Sequence, residues 1–188
     1  MNDASSRIPT SVVALLAAIS LGLFAWMLFS FVLPFCKLAD VSMLEVRMGP
    51  YGAADIGAMR DLLAKNQPAR DLLNAMHRGP DLFFPAMFIA FLYTALLKLR
   101  PAGHYFNRPL SPAVIAAIYA LPFIYGFSDY AENILTTNIF GGGTEWRFAA
   151  TVLPWFSTIK FLAAAICLIV ILRFALYRVV PPADRDTQ

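Results

Sequence analysis

The stretch PAVIAAIYALPFIYGFSDYAENIL, residues Pro112–Leu135, combines a long apolar run with charged side chains. It is long and apolar enough to cross a hydrocarbon core about 30 Å thick, which takes roughly 20 helical residues. Its second half nevertheless contains Asp129, Glu132 and Asn133. A charge at the middle of a bilayer costs on the order of 2.5–3.5 kcal/mol even on lenient scales, so it faces a protein interior or a water-filled cavity. The stretch therefore predicts a transmembrane helix with a buried polar site.

Three further segments are apolar over a similar length, at about residues 11–33, 82–99 and 151–177. Of the 188 residues, 59% are hydrophobic and 14% are charged, which is more apolar and less charged than a soluble domain. We therefore predict an all-α integral membrane protein. A single domain of four transmembrane helices is expected over residues 1–180, followed by a disordered tail at 181–188.

Basic residues in the connections predict the orientation of this bundle. The short connection after the second segment contains Lys98, Arg100 and Arg108 and no acidic residue, whereas the next connection has only Arg147 against Glu145. Short connections rich in lysine and arginine stay in the cytoplasm. Both termini are therefore predicted to be cytoplasmic, with the long first connection on the opposite side of the membrane.

That first connection, residues 35–81, is predicted to form a helical cap. Ala53–Lys65 repeats apolar residues at helical spacing and carries its charges largely on another face. Asn66 can cap a second helix that has Pro68 in its first turn. Two amphipathic helices need an apolar surface to cover. Three alternatives remain open, namely resting on the bilayer, covering the bundle, and closing an outward-facing pocket as a lid.

The polar residues of the third segment have a predicted partner in the fourth. Asp129, Glu132 and Asn133 share one helical face, and Lys160 lies at a similar depth because the two helices run in opposite directions. We therefore predict that Lys160 contacts Asp129 or Glu132. The two acids leave a surplus negative charge unless Arg78 joins them or one acid is protonated. Such a cluster is either a structural ion pair or a site that binds a ligand or handles protons.

In the functional interpretation, the candidate catalytic residues are Asp129, Glu132 and Lys160. The candidate ligand-binding residues lie on the same faces or at the same membrane boundary: Arg78, Asp81, Tyr125, Asn133, Ser157 and Thr158. Proton transfer or hydrolysis by the carboxylates fits this set better than redox chemistry. The sequence has no phosphate-binding or dinucleotide-binding motif, so no cofactor is expected.

Histidines and cysteines are too dispersed to predict a metal site or a disulfide. His77 and His104 lie in connections predicted to face opposite sides of the membrane, and so do the ends that carry Cys36 and Cys167. Each histidine is expected to be an interfacial polar residue. The net charge of +3 comes from basic residues at membrane edges, so no nucleic acid partner is expected.

Three short patterns occur together in this chain, namely HRGPDLFFP at 77–85, SDYAEN at 128–133 and STIK at 157–160. This set resembles a group of small, uncharacterised four-helix bacterial membrane proteins that share an Asp before Phe-Pro, then D-Y/L-x-E-N, then S-x-x-K. The resemblance covers residues 78–160. It implies a multi-pass protein of the bacterial inner (cytoplasmic) membrane and transfers no activity. The layout of the spans also resembles the sterol-isomerase-like membrane domain that includes emopamil-binding protein.

These observations favour a protein that binds, and could chemically modify, a lipid or another small amphiphile whose polar part reaches the candidate catalytic residues. The alternative is a non-catalytic accessory or assembly subunit of a larger membrane complex. A proton-coupled transporter is disfavoured, since four helices without an internal repeat seldom suffice alone. Ala14, Ala18 and Gly22 permit close helix contact, which is expected within the bundle, with a homodimer contact as the less favoured alternative.

Overall fold

The computed structural model describes residues 8–47, 51–99, 104–105, 108–141 and 146–179. The predicted disordered tail at 181–188 lies outside these described residues. The helices are α1 (Thr10–Met27), α2 (Leu33–Ala39), α3 (Ala53–Lys65), α4 (Gln67–Arg78), α5 (Pro80–Leu99), α6 (Pro112–Phe140) and α7 (Trp146–Val179). A π-helical turn, Leu28–Val32, joins α1 to α2, and a 3₁₀ turn, Leu44–Val46, follows α2. His104–Tyr105 pairs with Arg108–Pro109 in an antiparallel two-residue ladder.

Four helical segments are long and apolar enough to cross a membrane, at Thr10–Ala39, Gln67–Leu99, Pro112–Phe140 and Trp146–Leu176. The prediction of an all-α membrane bundle with a helical segment between its first two spans is therefore confirmed. In this bundle α6 packs along α7, and α5 packs between α1 and α6.

Local sequence explains where several helices begin and end. Pro112 occupies the first turn of α6, and the Ser111 hydroxyl accepts a hydrogen bond from the Val114 amide at 3.3 Å, which satisfies an amide that the helix leaves free. The Asn66 side-chain oxygen does the same for the Ala69 amide of α4 at 3.2 Å, so the predicted role of Asn66 as the N-terminal capping residue of α4 is confirmed. The Asn66 amide nitrogen also donates to the Leu38 carbonyl oxygen at 2.9 Å, which ties α4 to the end of α2.

Residues 40–47 and 51–79, which we call the cap, cover one end of the bundle. The apolar stripes of α3 and α4 are buried against α2, α6 and α7, and not left to lie on a bilayer surface. The buried cluster that joins cap and bundle includes Phe35, Ile56, Met59, Leu63, Leu73, Met76, Ile139, Phe140 and Leu153. Burial of this many apolar side chains stabilises the cap on the bundle.

The small-residue stripe of α1 does not form a contact within the bundle. Ala14, Ala18 and Gly22 are exposed, and a Cβ atom added at Gly22 would meet nothing within 4 Å. The predicted contact inside the bundle is therefore wrong, because α1 turns another face towards α5. The alternative of a homodimer contact through these residues stays a prediction. Gly126 permits a close approach of α6 to α5, since a Cβ atom added there would overlap the Ile89 side chain.

Candidate functional site

The charged residues of α6 and α7 meet inside the bundle. Asp129, Glu132 and Asn133 are only 4%, 0% and 7% exposed. The Lys160 ammonium nitrogen lies 2.9 Å from Asp129 Oδ1 and also contacts Glu132 Oε2. The predicted contact between Lys160 and these acids is therefore confirmed. Antiparallel packing of α6 against α7 makes it possible, since it brings the two helices to the same depth.

Glu132 is held from its other side by two hydroxyl groups. The Ser157 hydroxyl donates to Glu132 Oε1, and the Tyr51 hydroxyl lies 2.5 Å from Ser157 Oγ. Because Ser157 has one proton and directs it to the carboxylate, Tyr51 is the donor to Ser157. Burial raises the pKa of Tyr51, so its phenol stays protonated and can keep donating at neutral pH. Tyr51 precedes α3, so this chain of hydrogen bonds links the cap to the cluster.

A second buried cluster lies where the cap meets α5. His77 Nδ1 is 2.8 Å from Asp81 Oδ2, and His77 Nε2 is 3.0 Å from Glu45 Oε1. His77 is 3% exposed, so the prediction of an interfacial histidine is wrong. The reason is the i, i+4 spacing of His77 and Asp81, which turns the imidazole inward across the junction of α4 and α5. Glu45, in the 3₁₀ turn, was not predicted at all.

The three side chains of this second cluster share one more proton than a neutral imidazole and two carboxylates would carry. A neutral imidazole has one N–H group, so it can donate to only one of two carboxylates. With an acidic oxygen at hydrogen-bond distance from both ring nitrogens, either the imidazole of His77 is protonated twice or one of the acids carries a proton. Within the described part of the chain, no group of three His, Cys, Asp or Glu residues is arranged to hold a metal ion.

A cavity of about 570 Å³ runs beside both clusters, between α1, α5, α6 and α7. Its polar lining consists mainly of Glu45, Asp81, Asp129 and Lys160. These residues lie towards the cap, since Asp81 is in the first turn of α5. Its apolar lining includes Leu21, Phe24, Phe84, Phe88, Phe91, Phe161 and Leu168. Phe91 and Leu168 lie two or more turns farther from the cap, so the cavity has a charged end and an apolar end.

The two acids of the first cluster, Asp129 and Glu132, differ in their access to the cavity. Asp129 and Lys160 line the cavity, whereas Glu132 is fully buried behind them. Only one oxygen of Asp129 contacts Lys160. The other, Oδ2, is buried and has no hydrogen-bond partner among the described residues. An unpaired buried carboxylate oxygen is costly, so the Asp129 carboxylate has unused capacity to accept a hydrogen bond.

The remaining candidate binding residues divide into two sets. Tyr125 is buried, lines the cavity and packs edge-on against Phe88 with ring centroids 5.1 Å apart. The Asn133 side chain donates to the Asp81 backbone carbonyl at 3.3 Å, which fixes α5 against α6. By contrast, Thr158 is exposed and donates to the Pro154 carbonyl oxygen of its own helix. It therefore lies outside the cluster.

Arg78 also lies outside the cluster. Its side chain is exposed and forms no ion pair with any described residue. The neighbouring His77 points inward instead, because successive helical residues are about 100° apart. His77 does not join Asp129 and Glu132 either, because its two ring nitrogens face Asp81 and Glu45.

Comparisons with family models, with curated proteins and with solved structures find no match for the chain.

Proposed function

We propose that the protein binds a lipid or another small amphiphile in this cavity, with its polar part at Asp129 and Lys160. The observation that supports this most is the shape of the site, since buried charges line one end of a cavity whose other walls are apolar. Ligand sites are commonly concave and apolar, with a few polar groups that fix orientation. The volume of about 570 Å³ falls in the usual range of roughly 300–1,000 Å³ for such sites.

The same observation disfavours a purely structural role for the charges. An ion cluster that served only to fix helix register would be expected to be closed, with every oxygen satisfied. Here Asp129 and Lys160 line the cavity, and one Asp129 oxygen is unpaired. In this proposal Asp129 and Lys160 contact the ligand, and Glu132 acts as a positioning residue that holds Lys160. If the ligand is chemically modified, these two lining groups are the ones placed to move a proton.

The cap closes the charged end of the cavity in this proposal. Three of its residues, Glu45, Val46 and Met76, belong to the cavity lining. The cap is also tied to the site by the Tyr51–Ser157 and His77–Asp81 hydrogen bonds. These links support a cap that is held in place over the charged end of the cavity.

Photochemical crosslinking tests whether the cavity is occupied in the membrane. Benzoylphenylalanine replaces Phe88, which lines the cavity, or Phe83, which is 64% exposed on the outer face of the same helix. We expect position 88 to yield one main adduct of defined mass and position 83 to yield a mixture of bulk lipids. The same mixture at both positions, or no adduct at position 88, would argue against a specific site.

We further propose that the protein lies in a bacterial inner membrane with both termini in the cytoplasm and the cap outside. The support is the lysine and arginine content of residues 98–108. Single cysteines at Lys65, exposed in the cap, and at Asn107 are introduced into a variant that lacks Cys36 and Cys167. An impermeant maleimide is expected to label position 65 in intact cells and position 107 only after lysis. The reverse pattern would overturn this orientation.

A further inference from the structure

The charge balance of the cavity restricts the ligand. We propose, resting on the function above, that the polar part of the bound amphiphile is a protonated amine. The cavity would then take a cationic amphiphile.

The first support is an excess of buried acid at the charged end. The two clusters contain four carboxylates, from Glu45, Asp81, Asp129 and Glu132. They face one lysine and, when it is protonated, one histidine. Buried charges are stable when they are paired. Each cation is shared by two acids, so the four carboxylates outnumber the two cations by two, and a cationic ligand would reduce that imbalance.

The second support is the incomplete hydrogen bonding of the Asp129 carboxylate. Asp129 is 4% exposed, lines the cavity and has Oδ1 engaged by Lys160, while Oδ2 has no partner among the described residues. A primary ammonium group has three N–H donors. It could donate to the carboxylate groups of Asp129, Asp81 and Glu45, which line the same cavity. Hydrogen bonds with charged partners on both sides are about twice as strong as neutral ones.

The third support is the aromatic lining beside these acids. Phe84 and Phe88 stack with ring centroids 5.5 Å apart, and Phe24 lies 6.1 Å from Phe84. Aromatic ring faces attract cations that have been removed from water, which is how aromatic cages recognise ammonium groups. An anionic head group would gain an ion pair with Lys160, but the three acids of the lining would repel it. The combined lining therefore fits an ammonium head with an alkyl chain.

Matched amphiphiles of equal chain length test the charge directly. Binding of dodecylamine, dodecan-1-ol and dodecanoate to the purified, delipidated protein is measured by native mass spectrometry. We expect dodecylamine to bind at least about tenfold more tightly than dodecan-1-ol, with dodecanoate weakest. Dodecyltrimethylammonium, which has no N–H donor, is expected to bind more weakly than dodecylamine and more tightly than dodecan-1-ol.

Variants identify the residue responsible. Asp129→Asn is expected to weaken dodecylamine binding by about tenfold or more while changing dodecan-1-ol binding by less than about twofold. Asp81→Asn provides a second test if the first variant does not fold. Asp71→Asn is the control, because Asp71 is exposed on α4 and outside the cavity, and it should bind like the wild type.

The outcomes separate this inference from the proposed function. Equal or tighter binding of dodecan-1-ol or dodecanoate would overturn the amine assignment and leave an amphiphile site in place. An equal loss of all three ligands in Asp129→Asn would overturn it too. If none of the ligands binds the wild type more tightly than a variant whose cavity is filled, Ala164→Trp, the amphiphile site itself is wrong.

Discussion

Replacement of Lys160 by methionine is expected to lower the free energy of unfolding by about 3–5 kcal/mol, because it leaves two buried acids without their cation. Methionine keeps most of the apolar volume of the side chain, so the loss reports charge more than packing. Unfolding is measured by denaturant titration of the protein in mild detergent. Lys65→Met, at an exposed position of the cap, is the control and should stay within about 0.5 kcal/mol of the wild type.

A double-mutant cycle shows whether the loss comes from the ion pair. Glu132→Gln added to Lys160→Met removes one of the stranded charges and is expected to recover part of the stability. Residues in contact give coupling energies of about 0.5–3 kcal/mol, whereas independent ones add. Strictly additive losses would mean that Lys160 and Glu132 do not interact in the folded protein.

The second large effect is expected at His77, where His77→Leu should also cost about 3–5 kcal/mol. Glu45 and Asp81 are each only 6% exposed, and without the imidazole both lose the partner that bridges them. Arg78→Leu is a closely matched control. It alters the next residue of the same helix, which is exposed, and should change stability by about 0.5 kcal/mol or less.

Because the second cluster lies between the cap and α5, loss of His77 should affect the cap before the rest of the bundle. Since His77 joins the cap to α5, its loss should first release the cap, seen as faster amide hydrogen exchange in α3 and α4. Glu45→Gln added to His77→Leu should restore part of the stability by removing one stranded charge. Unchanged exchange in the cap and unchanged stability in His77→Leu would show that the bridge contributes nothing.

Features that depend on local helical spacing could be predicted from the sequence. Hydropathy over about 20 residues locates a span, and i, i+3, i+4 spacing places Asp129 with Glu132 on one face. The depth of Lys160 follows from antiparallel packing of neighbouring spans. The Asn66 cap could be predicted for the same reason, since the residues that identify it lie within one helical turn of each other.

The parts of the site that the sequence did not predict depend on long-range contacts. Glu45 and Tyr51 lie between α2 and α3, where the sequence has no periodicity, and Tyr51 contacts Ser157 over a separation of 106 residues. His77 and Asp81 have helical spacing, but Gly79-Pro80 between them indicated the end of a helix. This break hid the i, i+4 relationship of the two side chains. A histidine with an acid four residues away was the one available signal for this cluster.

Native mass spectrometry of the gently extracted protein shows whether the cavity holds an amphiphile. Ala164 lines the cavity, whereas Ala165 is exposed on the same helix and outside it. Ala164→Trp should therefore fill the cavity, and Ala165→Trp should add the same bulk elsewhere. We expect one retained amphiphile of defined mass on the wild type and on Ala165→Trp, and none on a folded Ala164→Trp. Equal retention by all three proteins, or none by the wild type, would contradict the proposed amphiphile site.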